Sequence, residues 1–118
     1  MIDVRTLQAT SEQRSNRWHK TGIQDWSPLE WAAAMAGEAG EACNAAKKLR
    51  RLEGDIANLD KRLALGEADE YRRLIAEEAG DTIMYAVLLI SRVGHDAEDI
   101  IRYVFNTKSQ EYGFPERL

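Results

Sequence analysis

Cysteine occurs once in this 118-residue chain, and proline, histidine and phenylalanine twice each. The lone Cys43 excludes an internal disulfide, and its Ala-rich, helix-forming surroundings predict a small buried residue. Pro28 and Pro115 fall at the edges of expected elements, and strand-like alternation with β-branched residues is missing. No apolar run approaches the ~20 residues needed to span a bilayer. The opening Met1-Ile2-Asp3-Val4-Arg5 lacks the apolar core of a signal peptide. A soluble, cytoplasmic chain without a membrane partner is therefore expected. Excess basic charge is also lacking: a net charge of −4 and a pI near 5.2 give no reason to expect a nucleic-acid partner.

What is present is helix-forming sequence throughout. The length suits one domain over residues 1–118, small enough for partner subunits to complete its core. A first helix is expected from Asp3 to Lys20, with Leu7 and Trp18 among its apolar positions. The second has a clear start: Ser27 as N-cap, Pro28 at the first helical position and Glu30 completing a capping box. It should run to about Leu52 and stop at Gly54. The charged stretch 55–68, with Gly66, reads as an insertion loop or a short helix.

A third helix is expected from Asp69 to Val93. Leu74, Ile75, Ile83, Met84, Val87, Leu88, Ile90 and Ser91 crowd most of its circumference, more than three companion helices can cover. Self-association as a homodimer or homotetramer follows. Gly94 is the expected stop, with His95 as a structural cap, and Asp96 the N-cap of a fourth helix carrying Ile100, Ile101, Val104 and Phe105. The fold class is all-α, a bundle of four to five helices.

One acidic phrase occurs twice. Glu38-Ala39-Gly40-Glu41 returns as Glu78-Ala79-Gly80-Asp81. Residues three apart share a helix face, so each phrase projects two carboxylates side by side. Gly inside a helix costs about 1 kcal/mol against Ala, and here it recurs at the same point, leaving room for another backbone or a ligand. Two such helices laid together gather four carboxylates, whose mutual repulsion calls for a cation. Oxygen ligands without Cys or His favour Mg²⁺ or Mn²⁺ over zinc. A single Glu-x-x-Glu is usually a solvated helix surface; the repeat and its small flanking residues Ala33, Ala36, Ala39, Ala42 and Ala46 argue for more.

The ordered pair Glu38-x-x-Glu41 and Glu78-x-x-Asp81 resembles the signature of the MazG-like, all-α nucleoside triphosphate pyrophosphohydrolases, which include dimeric dUTPases and dCTP pyrophosphatases. The resemblance covers about Arg17 to Pro115. It departs in two places: 36 residues separate Glu41 from Glu78, and Gly37 stands where many relatives have Glu, leaving Glu77 as the other source of a fifth carboxylate. The resemblance implies a MazG-type bundle completed by oligomerisation. It also implies Mg²⁺-dependent cleavage of a nucleoside triphosphate between its α- and β-phosphates, in nucleotide-pool house-cleaning. Glu38, Glu41, Glu78 and Asp81 would be metal ligands and catalytic residues.

The phosphate tail needs donors. Lys48 lies seven residues after Glu41, back on the acidic face, although Lys47 and Lys48 also suit the C-terminus of a helix ending near Leu52. Asn106 and Lys108 resemble the family's polar and basic residues near the end of the last helix. Tyr85, one turn beyond Asp81, resembles the base-contacting aromatic of the dCTP pyrophosphatase-like branch. Trp26 and His19 resemble residues that close over the base, while Trp18, Trp26 and Trp31 also suit core packing. A ferritin-like di-iron site is excluded, since it needs Glu-x-x-His and neither His19 nor His95 stands three residues after a Glu. The competing reading is a non-catalytic helical oligomerisation or regulatory module.

Overall fold

The computed structural model describes residues 1–55 and 61–118. Four helices account for most of them: α1 (Val4–Trp18), α2 (Pro28–Asp55), α3 (Lys61–Arg92) and α4 (Ala97–Tyr112), with a 3₁₀ turn at Gly22–Asp25. No strand occurs among the described residues, so the fold is all-helical as expected. None of these helices is long and apolar enough to cross a membrane. The chain forms two compact units, Met1–Trp31 with Ala86–Leu118, and Ala32–Tyr85.

The helix ends follow local chemistry. Asp3 caps α1 by accepting from the Thr6 amide at 2.8 Å, and that bond first of all holds its carboxyl below the usual range. The α2 capping box is reciprocal: Glu30 N donates to Ser27 Oγ at 3.2 Å, and Ser27 N donates to Glu30 Oε2 at 2.7 Å. Gly94 ends α3 with φ of 85°, where its amide bonds to Ser91 O and that of His95 to Ile90 O. Gly113 ends α4 in the same way. His95 thus serves the cap through its backbone, and its side chain is exposed.

In the first unit α1 packs through a polar face. Gln8, Ser11 and Ser15 are its buried residues, while Trp18 is 68% exposed beneath the Arg14 guanidinium. Gln8 carries the contact. Its Nε2 donates to Ser91 Oγ (2.7 Å) and His95 O (2.9 Å), and its Oε1 accepts from Ala97 N (2.8 Å). Ser91 Oγ in turn donates to Glu12 Oε1 at 2.7 Å. Arg5 lies among Asp96, Glu98 and Asp99 of α4's start, but these exposed pairs add little stability. His19, Trp26 and Trp31 form an aromatic cluster with ring centroids 4.7–5.2 Å apart. Trp31 is fully buried, and its Nε1 donates to Ile23 O at 3.0 Å.

In the second unit the α2 and α3 segments run antiparallel, with Leu52 against Ala68 at one end and Glu38 and Glu41 beside Glu78 further along. Leu52 and Ala68 are buried, with Leu49 and Tyr71 packed on them. Arg72 joins Glu53 across the pair at 3.3 Å. Both helices exceed expectation: α2 passes through Gly54 to Asp55, and α3 begins at Lys61 rather than near Asp69. Of the expected loop or short helix at 55–68, residues 56–60 lie outside the described ones and 61–68 are helical. Ile83, expected inside, is 57% exposed, whereas Val87 and Leu88 in the first unit are buried. Cys43 is exposed, not buried. Ala45, Leu49 and Leu52 define α2's packed stripe at helical spacing, and Cys43 falls off it.

Gln8→Ala should destabilise the protein by about 2 kcal/mol, since it strands the buried Ala97 amide and the His95 carbonyl together. Urea unfolding checks this. An unchanged midpoint would show that water replaces the amide without loss.

Candidate functional site

The repeated phrases bring three of their four carboxylates together. Glu38, Glu41 and Glu78 each offer an oxygen within 4.8 Å of the other two. Glu38 and Glu41 share a face of α2 because they are three residues apart, and α3 presents Glu78 opposite them. Asp81, one turn further along α3, is exposed and stands outside this group. Glu77, the other source of a fifth carboxylate, is exposed and paired with Arg73 at 2.8 Å.

Ionised carboxylates are acceptors only, so three in contact cannot satisfy one another. Glu78 bears the conflict: its Oε2 is shut off from solvent and meets no hydrogen-bond partner among the described residues. A proton on Glu78 turns the contact with Glu38 into a hydrogen bond, which is the first cause that raises its pKa from an ordinary 4.5 to about 7. Burial and the charges of Glu41 and Glu38 add to it. A divalent cation among the three would relieve the same conflict. Exposed acidic groups often occur without an ion; the solvent-shielded oxygen is what distinguishes this set. An all-oxygen donor group suits Mg²⁺ or Mn²⁺.

A cavity of about 240 Å³ extends from the carboxylates along the α2–α3 groove. Glu41, Asn44, Ala45 and Lys48 line it from α2, and Glu78, Leu74 and Tyr71 from α3. On α2 the steps from Glu41 are three, four and seven residues; on α3 they are four and seven residues back from Glu78. Lys48 is thus on the acidic face, as its spacing predicts. The alternative placing of Lys47 and Lys48 at a helix C-terminus does not hold, because α2 continues to Asp55 and its last turn contains no basic residue. Lys47 lines a different cleft with Arg50 and Arg51.

Asn44 and Tyr71 were not identified from the sequence, although the spacing that singles out Lys48 applies equally to them. Tyr85 is half-buried in the second unit. The other expected ligand residues belong to the first unit and are already engaged. His19 Nδ1 lies 3.5 Å from Asp25 and its ring packs with Trp26 and Trp31. Trp26 is half-buried, and its carbonyl accepts from Arg92 Nε at 2.8 Å. Asn106 exchanges two hydrogen bonds with the Leu118 backbone, at 3.3 and 2.8 Å. Lys108 pairs with Glu111 at 3.4 Å.

Gly40 and Gly80 do not mark a close approach among the described residues, since a Cβ on either would meet none of them within 4 Å. Compared with family models, curated proteins and solved structures, the chain gives no match.

Two outcomes follow from this geometry. In chelator, the folded chain keeps a proton on Glu78 that the unfolded chain releases at lower pH, so stability should fall as pH rises from about 4.5 to about 7. The melting temperature should trace that decline, and Glu78→Gln should flatten it; an identical slope in both proteins would remove Glu78 as the cause. Separately, Gly80→Ala should stabilise the metal-free chain by about 1 kcal/mol through helix propensity alone. A lower melting temperature would reveal a neighbour packed against that glycine.

Proposed function

We propose that this chain is a nucleoside triphosphate pyrophosphohydrolase of the MazG-like kind, dependent on Mg²⁺ or Mn²⁺. It would cleave between the α- and β-phosphates to give a monophosphate and pyrophosphate, in the upkeep of the nucleotide pool. The observation that carries the reading is the meeting of Glu38, Glu41 and Glu78 around an oxygen that no donor among the described residues reaches. Their combined charge would repel a triphosphate unless a divalent ion lay between them. Such an ion supplies charge neutralisation and an acidified water.

The chain's own residues have separate parts in this reading. Glu38, Glu41 and Glu78 would hold the ion, and Asp81, one turn further along α3 and outside their group, would be the fourth ligand. A carboxylate of the same set accepts the proton of the attacking water. One water is consumed per bond broken; its oxygen remains on phosphorus and pyrophosphate departs. Lys48 draws the phosphates along the cavity. Tyr85 is assigned to the base.

A second reading, a helical oligomerisation or regulatory module, is favoured by α4. Ile101, Tyr103, Val104 and Phe105 are all exposed there, and Phe114 follows. The two readings agree on self-association, since such a surface is normally covered. They part on catalysis.

Pyrophosphate release across a panel of nucleotides, with Mg²⁺ and then with excess chelator, decides between them. Glu38→Gln and Glu78→Gln should each cut turnover ~100-fold or more while keeping the helical circular dichroism. Near-parental turnover in both variants would remove the carboxylates from the chemistry. Light scattering at micromolar concentration should show a dimer or tetramer; a monomer would leave the α4 surface without its expected cover.

A further inference from the structure

One end of the acidic cavity is lined by hydrogen-bond donors that the protein does not use. Asn44, Lys48 and Tyr71 share the cavity with Glu41 and Glu78. Among the described residues, none of these three side chains has a hydrogen-bond or ion-pair partner. Elsewhere in the same unit Arg72 pairs with Asp69 and Glu53, and Arg73 with Glu77. An ammonium, an amide and a phenol offer N–H and O–H donors, and phosphate oxygens are acceptors.

The arrangement has a direction. From Glu41 to Lys48 the groove advances seven residues, about 10 Å along the helix. Helical side chains lean toward their own N-terminus, so Lys48 reaches back toward the carboxylates. Tyr71 stands across the groove from it, its ring packed on Leu52 and Ala68. Tyr85 lies on the other side of the carboxylates, seven residues beyond Glu78 on α3 just as Tyr71 is seven before it. The cavity is therefore cationic and donor-rich on one side of the acids, and Tyr85 is the next tyrosine along α3 on the other.

We propose that Asn44, Lys48 and Tyr71 form the subsite for the terminal phosphates of a nucleoside triphosphate, which fixes the substrate's direction along the groove with its nucleoside toward Tyr85. This rests on the pyrophosphohydrolase reading and extends it with two residues and a polarity. The terminal phosphates carry the highest charge density of the substrate and need the one cation the cavity supplies. They are also the part released as pyrophosphate, so the subsite holds the leaving product rather than the retained monophosphate.

Calorimetric titration with two probes, pyrophosphate and a deoxynucleoside monophosphate, each with Mg²⁺, tests this on the parent and on Lys48→Met, Asn44→Ala and Tyr71→Phe. Tyr71→Phe keeps the ring that packs on Leu52 and Ala68, and circular dichroism with thermal melting controls for folding in all three. Each replacement should weaken pyrophosphate binding roughly tenfold, the scale of one hydrogen bond to a charged group. Monophosphate affinity should stay within about twofold, and the KM for triphosphate should rise. Equal losses for both probes, or unchanged pyrophosphate binding in the variants of an active parent, would overturn the subsite alone. A parent that binds neither pyrophosphate nor triphosphate would overturn the subsite together with the reading beneath it.

Discussion

The antiparallel register between α2 and α3 in the second unit determines everything chemical about it. Leu52 on Ala68, with Leu49 and Tyr71 alongside, fixes how the two helices meet. Once that contact is made, helical spacing leaves little freedom. Glu41, Ala45 and Lys48 line the groove from one helix, and Glu78, Leu74 and Tyr71 from the other. Shifting one helix by a single residue turns its face by about 100° and would carry the carboxylates apart. A small apolar contact thus holds together groups that repel. Among the described residues, no hydrogen-bond donor meets the shielded Glu78 oxygen to offset that repulsion.

Much of this was legible in the sequence because it depends on local rules. Ser27-Pro28 with Glu30, Asp96 before α4, and Gly94 after α3 are signals carried within a few residues, and the backbone follows each of them. The acidic cluster was legible for the same reason: two phrases with a three-residue spacing must each form a face. What could not be read was rotation about the helix axis. Cys43 and Ile83 look like core residues by composition, yet each lies off the stripe that its helix turns inward. Asp81 matches Glu41 in the repeated phrase but stands outside the cluster, because repetition constrains sequence position and not side-chain placement. Gly54 was read as a stop, yet α2 continues through it, since helix propensity is a weak prior against tertiary context.

The first unit follows another principle. Its α1 contact is built on Gln8, Ser11 and Ser15 rather than on leucines, so periodicity of apolar residues gives no hint of it. Such an interface is directional: an amide that bonds to Ser91, His95 and Ala97 at once accepts only one seating of the helix. The cost is that every bond must be made, because a buried donor left alone is expensive. Apolar groups remain instead on the outside of α4, at Ile101, Val104 and Phe105. At α1 polar chemistry thus stands where hydrophobic packing is usual, and on α4 apolar side chains stand where solvent is expected.

The distribution of tryptophan gives the molecule an optical asymmetry. Trp18, Trp26 and Trp31 all belong to the first unit, in exposed, half-buried and fully buried settings, and the second unit contains none. Indole emission therefore reports on one half of the chain alone, while far-ultraviolet dichroism sees the helices of both. If the two compact units lose structure at different temperatures, the two signals will separate on heating; if they melt as one body, the curves will superimpose. The carboxylate half is silent to the first method, so a ligand bound there shifts the emission curve only as far as the first unit feels it.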